Sequence, residues 1–167
     1  LGLTYDIYPD GDIDHELITQ LAPFVVMSSK NPLAKEKQLS LKDLEDQPLI
    51  FMDSPGFREY FLYYFGMYDL KPRVLHRPTT NEMVRGMLAA GNGYSIGLVK
   101  IKNTRSYDGG TLVNIELEEV PPRVNLVVAS LKGFRRGRLV EAFVDVCKKR
   151  LRRVATGTGL RTHETDQ

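Results

Sequence analysis

The chain has 167 residues, 42% of them hydrophobic and 26% charged, with a formal net charge of +2 at pH 7. That suffices for one domain or two small lobes of ordinary globular composition, with no run of the roughly 18 to 20 apolar residues a membrane helix needs. A charge of +2 makes no electrostatic case for nucleic acid, and the single Cys147 excludes an internal disulfide and a multi-cysteine zinc site.

The opening "LGLTYD" reads as a strand. It has no methionine, basic region or signal peptide, as expected of a piece excised from a longer protein. The polar, acidic "IYPDGDIDHE" reads as a connection to a second strand, "APFVVMSS". Asp6, Asp10, Asp12, Asp14 and His15 gather in and around this connection. A metal needs converging ligands in fixed geometry, and a stretch this rich in Asp, Gly and Pro reads as solvated turn, so no metal is expected. In "SLKDL", Ser40 and Asp43 have capping-box spacing and predict a short helix.

"QPLIFM" is a short apolar run and reads as a buried strand. In "SPGFREYFLYYFG", Ser54 suits an N-cap, Pro55 the first helical position and Gly66 a left-handed stop. Phe57, Tyr60, Phe61, Tyr64 and Phe65 fall on one helix face, a core pattern more than an aromatic ligand box. "PRVLH" is a strand. "RPTTNEMVRGMLAAGNGYSIG" then supplies a second helix and the start of a third strand. A phosphate loop sets its glycines before the helix. Here Gly91 and Gly93 follow it, as a left-handed stop and a tight turn, and Met83, Val84, Met87 and Leu88 form the apolar face.

After a loop come two strand-like runs, "TLVNIELEEV" and "RVNLVVASL". A helix from about Arg138 to Arg153 carries Leu139, Val140, Phe143, Val144, Cys147 and Leu151 as its apolar face, with Cys147 a small core residue. Its late basic residues suit a solvated helix end. "ATGTGLRTHETDQ" reads as a disordered tail. The central β-α-β-α-β pattern predicts a parallel sheet covered by helices, and strands at both chain ends predict two lobes with a cleft between them. The expected division is 1–22 as the end of the first lobe and hinge, 23–111 as the second lobe, 112–154 as the return to the first, and 155–167 as tail.

"LGLTYD", "FVVMSSKNPLAKEKQLSLKDLEDQPLIFMD" and "PTTNEMVRGMLAAGNGYSIGL", in that order, resemble the effector-binding domain of LysR-type transcriptional regulators. The resemblance covers roughly Leu1 to Leu151. It implies an α/β fold of periplasmic-binding-protein type 2 kind, with two α/β lobes joined by crossing strands. The first lobe is incomplete, because the DNA-binding head, linker helix and first β-α-β portion of that family are not matched here. It further implies a cytoplasmic homodimer or homotetramer that binds DNA through a domain absent from this chain, needs no cofactor and touches no membrane.

No Gly-x-Ser-x-Gly elbow, P-loop or His-Glu-x-x-His is present, and the three histidines are scattered, so no catalysis is expected. Two helices begin directly after strand ends, at Ser54 and Thr79. Such N-termini present unpaired N–H groups and favour an anion, such as a carboxylate. Thr79 has two readings: a T-x-x-E capping box with Glu82, or a ligand contact for which the same oxygen would compete. The resemblance implies an effector between the lobes, contacted by Thr79, Thr80 and Asn81, by Met27 and Ser28 near the hinge strands, and by Tyr5 and Asp6 after the first strand. Ser54 joins them on helix-terminus grounds. A solute-binding protein of a transport system is the alternative reading of the same fold.

Overall fold

The computed structural model describes residues 1–7, 11–54, 56–119 and 122–155. The strands in chain order are β1 (Gly2–Tyr5), β2 (Ile13–Leu21), β3 (Phe24–Ser28), β4 (Gln38–Leu39), β5 (Leu49–Ile50), β6 (Val74–His76), β7 (Tyr94–Gly97), β8 (Leu112–Leu117) and β9 (Val124–Leu131). The helices are α1 (Phe57–Gly66), α2 (Asn81–Ala89) and α3 (Arg138–Ala155). They form two compact units, Leu1–Leu21 with the chain from Val124, and Ala22–Arg123.

In the first unit β9 lies between β1 and β2, antiparallel to both. The last four residues of the acidic connection, from Ile13 to Glu16, thus belong to a nine-residue strand. Asp14, His15 and Glu16 sit in β2, an edge strand on which polar side chains are tolerated. Leu17 and Thr19 face Val127 and Leu126, so Ile18 is an extra residue between them, a β-bulge. Ile18 is buried against Val128, Val144 and Cys147, which fastens α3 to the sheet. The expected face of α3 divides. Val144 and Cys147 are buried and Leu151 is packed on them, but Leu139 is 85% and Phe143 49% exposed. At 100° per residue Leu139, Phe143 and Val146 form a second stripe beside the buried one. The tail from residue 156 lies outside the described residues, as does Asp10.

Glu16 accepts hydrogen bonds from Lys148 of α3 and from Arg136 just before it. These bonds, Lys148 first, hold its carboxyl below the ordinary value of 4.5. A carboxylate with a depressed folded pKa stabilises the fold above its unfolded pKa, and that contribution fades as pH falls through the folded value. Glu16→Gln is therefore expected to lower Tm by about 2–5 °C at pH 7 and by progressively less below about pH 4, measured by thermal melts across pH.

The second unit holds a six-stranded sheet in the order β4-β8-β3-β7-β5-β6. The β5-α1-β6-α2-β7 unit is present, with β5 parallel to both β6 and β7. β3 runs antiparallel to β7 and β8. Because β8 completes its hydrogen bonds on β3, the chain returns to the first unit at Arg123–Val124, later than the expected position near residue 112. The core joins Val25, Met27, Leu49 and Tyr94 of the sheet to Phe61, Tyr64 and Phe65 of α1, with Phe57 and Tyr60 packed against it. The Ser40–Asp43 box is formed: the Asp43 carboxylate accepts from the Ser40 amide at 2.8 Å, and the Asp43 amide donates to the Ser40 hydroxyl at 3.2 Å.

Both ends of α1 differ from expectation. The N-cap is Gly56 at φ 85°, a left-handed conformation that interrupts the helical run after Ser54; the Glu59 carboxylate accepts from its N–H at 2.8 Å. Pro55 lies outside the described residues. Gly66 stays helical, and the left-handed residue is Asp69 at φ 55°.

The Tyr94 hydroxyl is buried with no hydrogen-bond partner among the described residues, and burial pushes its pKa up. An unpaired buried hydroxyl costs about 1–3 kcal/mol, so Tyr94→Phe is expected to stabilise the chain by about 1 kcal/mol in urea denaturation.

Candidate functional site

Strands β5, β6 and β7 point their carboxyl ends the same way, and ligands in open α/β sheets favour that end. Backbone pairing continues beyond the short strands. The Phe51 amide donates to the His76 carbonyl and the Asp53 amide to the Pro78 carbonyl, both at 3.0 Å. The second bond holds the turn after β5 against the segment entering α2. Ser54 and Thr79 are each one residue past it.

The Thr79 question resolves in favour of neither half of the box. Thr80 is the N-cap, with extended backbone (φ −132°, ψ 149°), and its Oγ1 accepts from the Met83 amide at 3.3 Å. The cap register is one residue later than a Thr79–Glu82 box requires, and Glu82 instead lies 3.8 Å from the Arg85 guanidinium. Thr79 and Asn81 are exposed, and their side chains have no hydrogen-bond partner among the described residues. The first turn of α2 therefore presents N–H groups, one hydroxyl and one amide to solvent. Ser54 is half-buried and does not cap α1; its amide donates to the Met52 carbonyl at 2.9 Å and its carbonyl accepts from the Arg58 amide at 3.4 Å.

Met27 and Ser28 lie elsewhere. β3 is antiparallel to β7, with Met27 opposite Tyr94 and Phe24 opposite Gly97. Residues 27 and 28 therefore sit at the amino end of β7, away from Ser54 and Thr79. Met27 is fully buried in the core, and the Ser28 hydroxyl accepts from the Lys30 amide at 3.3 Å. The residues of β3 and β7 that share the carboxyl end are Phe24 and Gly97, which sequence reasoning missed. Lys100 follows, its Nζ 5.5 Å from the Phe24 ring centre and ion-paired to Glu116, the cross-strand partner of Phe24. A cation thus stands at this end, already matched by a carboxylate.

Tyr5 and Asp6 belong to the first unit. The Asp6 amide donates to Asn125, and its carboxylate lies 3.0 Å from His15 Nδ1. Burial raises the Tyr5 pKa. Among the described residues, no group of three His, Cys, Asp or Glu side chains could hold a metal ion, and no helix is long and apolar enough to cross a membrane.

The far end of α2 matches its expected chemistry. Gly91 (φ 87°) donates to the Leu88 carbonyl and Asn92 to that of Met87, a Schellman stop. Of the apolar face, Val84 and Leu88 are buried, Met87 is packed beside them and Met83 is 48% exposed. Arg85 donates to the carbonyls of Asn103 and Arg105 at 2.6 and 2.7 Å, tying the helix to the loop before β8.

Comparison with known proteins gives a consistent result. The family model of the LysR substrate binding domain matches residues 1–152. The HTH-type transcriptional activator CmpR of Synechocystis sp. (strain ATCC 27184 / PCC 6803 / Kazusa) is 29% identical over 125 residues, 74% of this chain and 41% of CmpR. The crystal structure of HinK, a LysR family transcriptional regulator from Pseudomonas aeruginosa, superposes with a TM-score of 0.83 at 30% identity, over 89% of this chain and 51% of that one. The Synechocystis PCC6803 CcmR regulatory domain in complex with 2-PG shares the fold at TM-score 0.73 and 20% identity, over 88% of this chain and 71% of that one. The chain thus spans about half the length, or less, of CmpR and HinK.

Proposed function

The chain belongs to the LysR substrate binding domain family, and from that premise we propose that it is the effector-sensing part of a DNA-binding transcriptional regulator. It recognises a small molecule, and DNA is contacted through a separate domain of a homodimeric or homotetrameric protein. The regulators among its relatives favour this reading over a transport solute-binding protein.

The observation that carries the site is the Asp53–Pro78 hydrogen bond, which sets Ser54 beside the start of α2. The side chains of Thr79 and Asn81 stand there with no hydrogen-bond partner among the described residues, while Thr80 serves the helix. Backbone N–H groups and partial positive charge at a helix start suit a carboxylate or another small anion. A regulatory domain of the same fold holds 2-PG, which is consistent with a small-molecule effector here.

The test is a thermal-shift screen of small carboxylates and phosphate esters on the chain and its variants. At about 100 times Kd the right ligand stabilises by about 2.7 kcal/mol. Thr79→Val and Asn81→Ala are expected to abolish that shift while leaving the unliganded Tm in place. Thr80→Ala is expected to lower the unliganded stability by about 1 kcal/mol through loss of the cap. A panel with no active compound, or a ligand indifferent to Thr79 and Asn81, would overturn the assignment.

A further inference from the structure

A narrow apolar trough runs between α1 and the β5–β6 edge of the second unit. Its walls come from Phe51, Phe61, Phe65 and Val74, with Leu62 at the rim, and almost no polar surface lines it. Space for water-sized groups within it amounts to about 30 Å³, and all the empty space, open solvent included, to about 320 Å³. A water needs roughly 10–15 Å³ and two or more polar partners, so the floor has room for small groups and offers water nothing to bind. Arg58 and Arg77 are among the lining residues, and with almost no polar surface there they contribute their apolar stems. Arg77 is exposed, and its side chain has no hydrogen bond or ion pair among the described residues. Arg58 meets Asp53 and Glu59 only at 3.4 and 3.5 Å, contacts that an incoming anion can replace.

An apolar floor with two arginines among its lining residues is complementary to an apolar molecule with one anionic end. We propose that this trough is a binding site for an unbranched alkyl monocarboxylate, its chain between α1 and β6 and its carboxylate held by Arg58 and Arg77. Arginine suits the head group because its planar fork matches a carboxylate with two parallel hydrogen bonds. The site is independent of the Thr79–Asn81 reading and uses none of its side chains.

The experiment titrates the ¹⁵N-labelled chain with sodium octanoate, 1-octanol and acetate, following the amides of Phe61, Leu62 and Val74. Octanoate is expected to move these amides and acetate to leave them in place. Octanol should bind at least about tenfold more weakly, the loss expected when a charged hydrogen-bonded head is removed. Arg77→Gln should weaken octanoate about tenfold without affecting octanol. Leu62→Glu, an exposed change that sets a negative charge at the rim, should abolish octanoate binding, and Thr79→Val should leave it unchanged. Equal binding of octanol and octanoate, shifts confined to Thr79–Asn81, or no response to octanoate in a chain whose spectrum is dispersed would each overturn the proposal.

Discussion

Replacing Gly93 by alanine is expected to unfold much of the second unit. The residue has φ 134°, which an L side chain rarely adopts. An added Cβ would lie 2.0 Å from the Pro48 carbonyl oxygen and 2.9 Å from its carbon. That oxygen cannot retreat cheaply, because it accepts the Tyr94 amide at 2.9 Å in the parallel pairing of β5 with β7. Backbone strain and forced overlap together cost roughly 3–5 kcal/mol, a large share of the 5–15 kcal/mol typical of a whole domain. Urea denaturation followed by circular dichroism measures the loss. Gly91→Ala is the control: φ is also positive, at 87°, but a Cβ there meets nothing within 4 Å, so its cost should stay near 1–2 kcal/mol. Equal losses at the two positions would show that contact with Pro48 is not the cause.

The second large effect concerns association. Leu139, Phe143 and Val146 of α3 stand exposed beside Leu1, forming an apolar surface. Contiguous patches of this kind promote contact with another apolar surface. The chain is expected to self-associate at micromolar concentration, and Leu139→Glu with Phe143→Glu to weaken that association at least about tenfold by burying two charges in any such contact. Sedimentation velocity reads the outcome, and helical circular dichroism checks that α3 persists. Since Val144 and Cys147 make the contact with the sheet, the double variant should keep its fold. Association unchanged by both charges would place the contact elsewhere.

The central β-α-β-α-β unit was legible from its apolar periodicity and from part of its punctuation, although the caps of α1 fell elsewhere. Pro48 precedes a strand and Gly91 ends a helix in a Schellman stop, while just before the unit Ser40 and Asp43 cap each other. What was illegible depended on tertiary placement. The start of β2 reads as an acidic connection because an edge strand can leave Asp14 and Glu16 to solvent or to cations far along the chain, here Arg136 and Lys148. Strand direction is not written in a strand's own residues. Placing Met27 and Ser28 with Thr79 required β3 to run the same way as β7, and it runs opposite, which brings Phe24 to that end instead. α3 carries enough apolar residues for two stripes, and composition alone does not say which one meets the sheet.

Thr79 and Thr80 are neighbours of identical chemistry with unrelated obligations. One closes the first turn of α2, and the side chain of the other has no hydrogen-bond partner among the described residues. A lineage carrying this chain could exchange residue 79 freely, testing new side chains against new small molecules, while residue 80 keeps the helix intact. Under the proposed effector site, ligand preference and foldability fall to separate codons, and the first can drift without the second being put at risk.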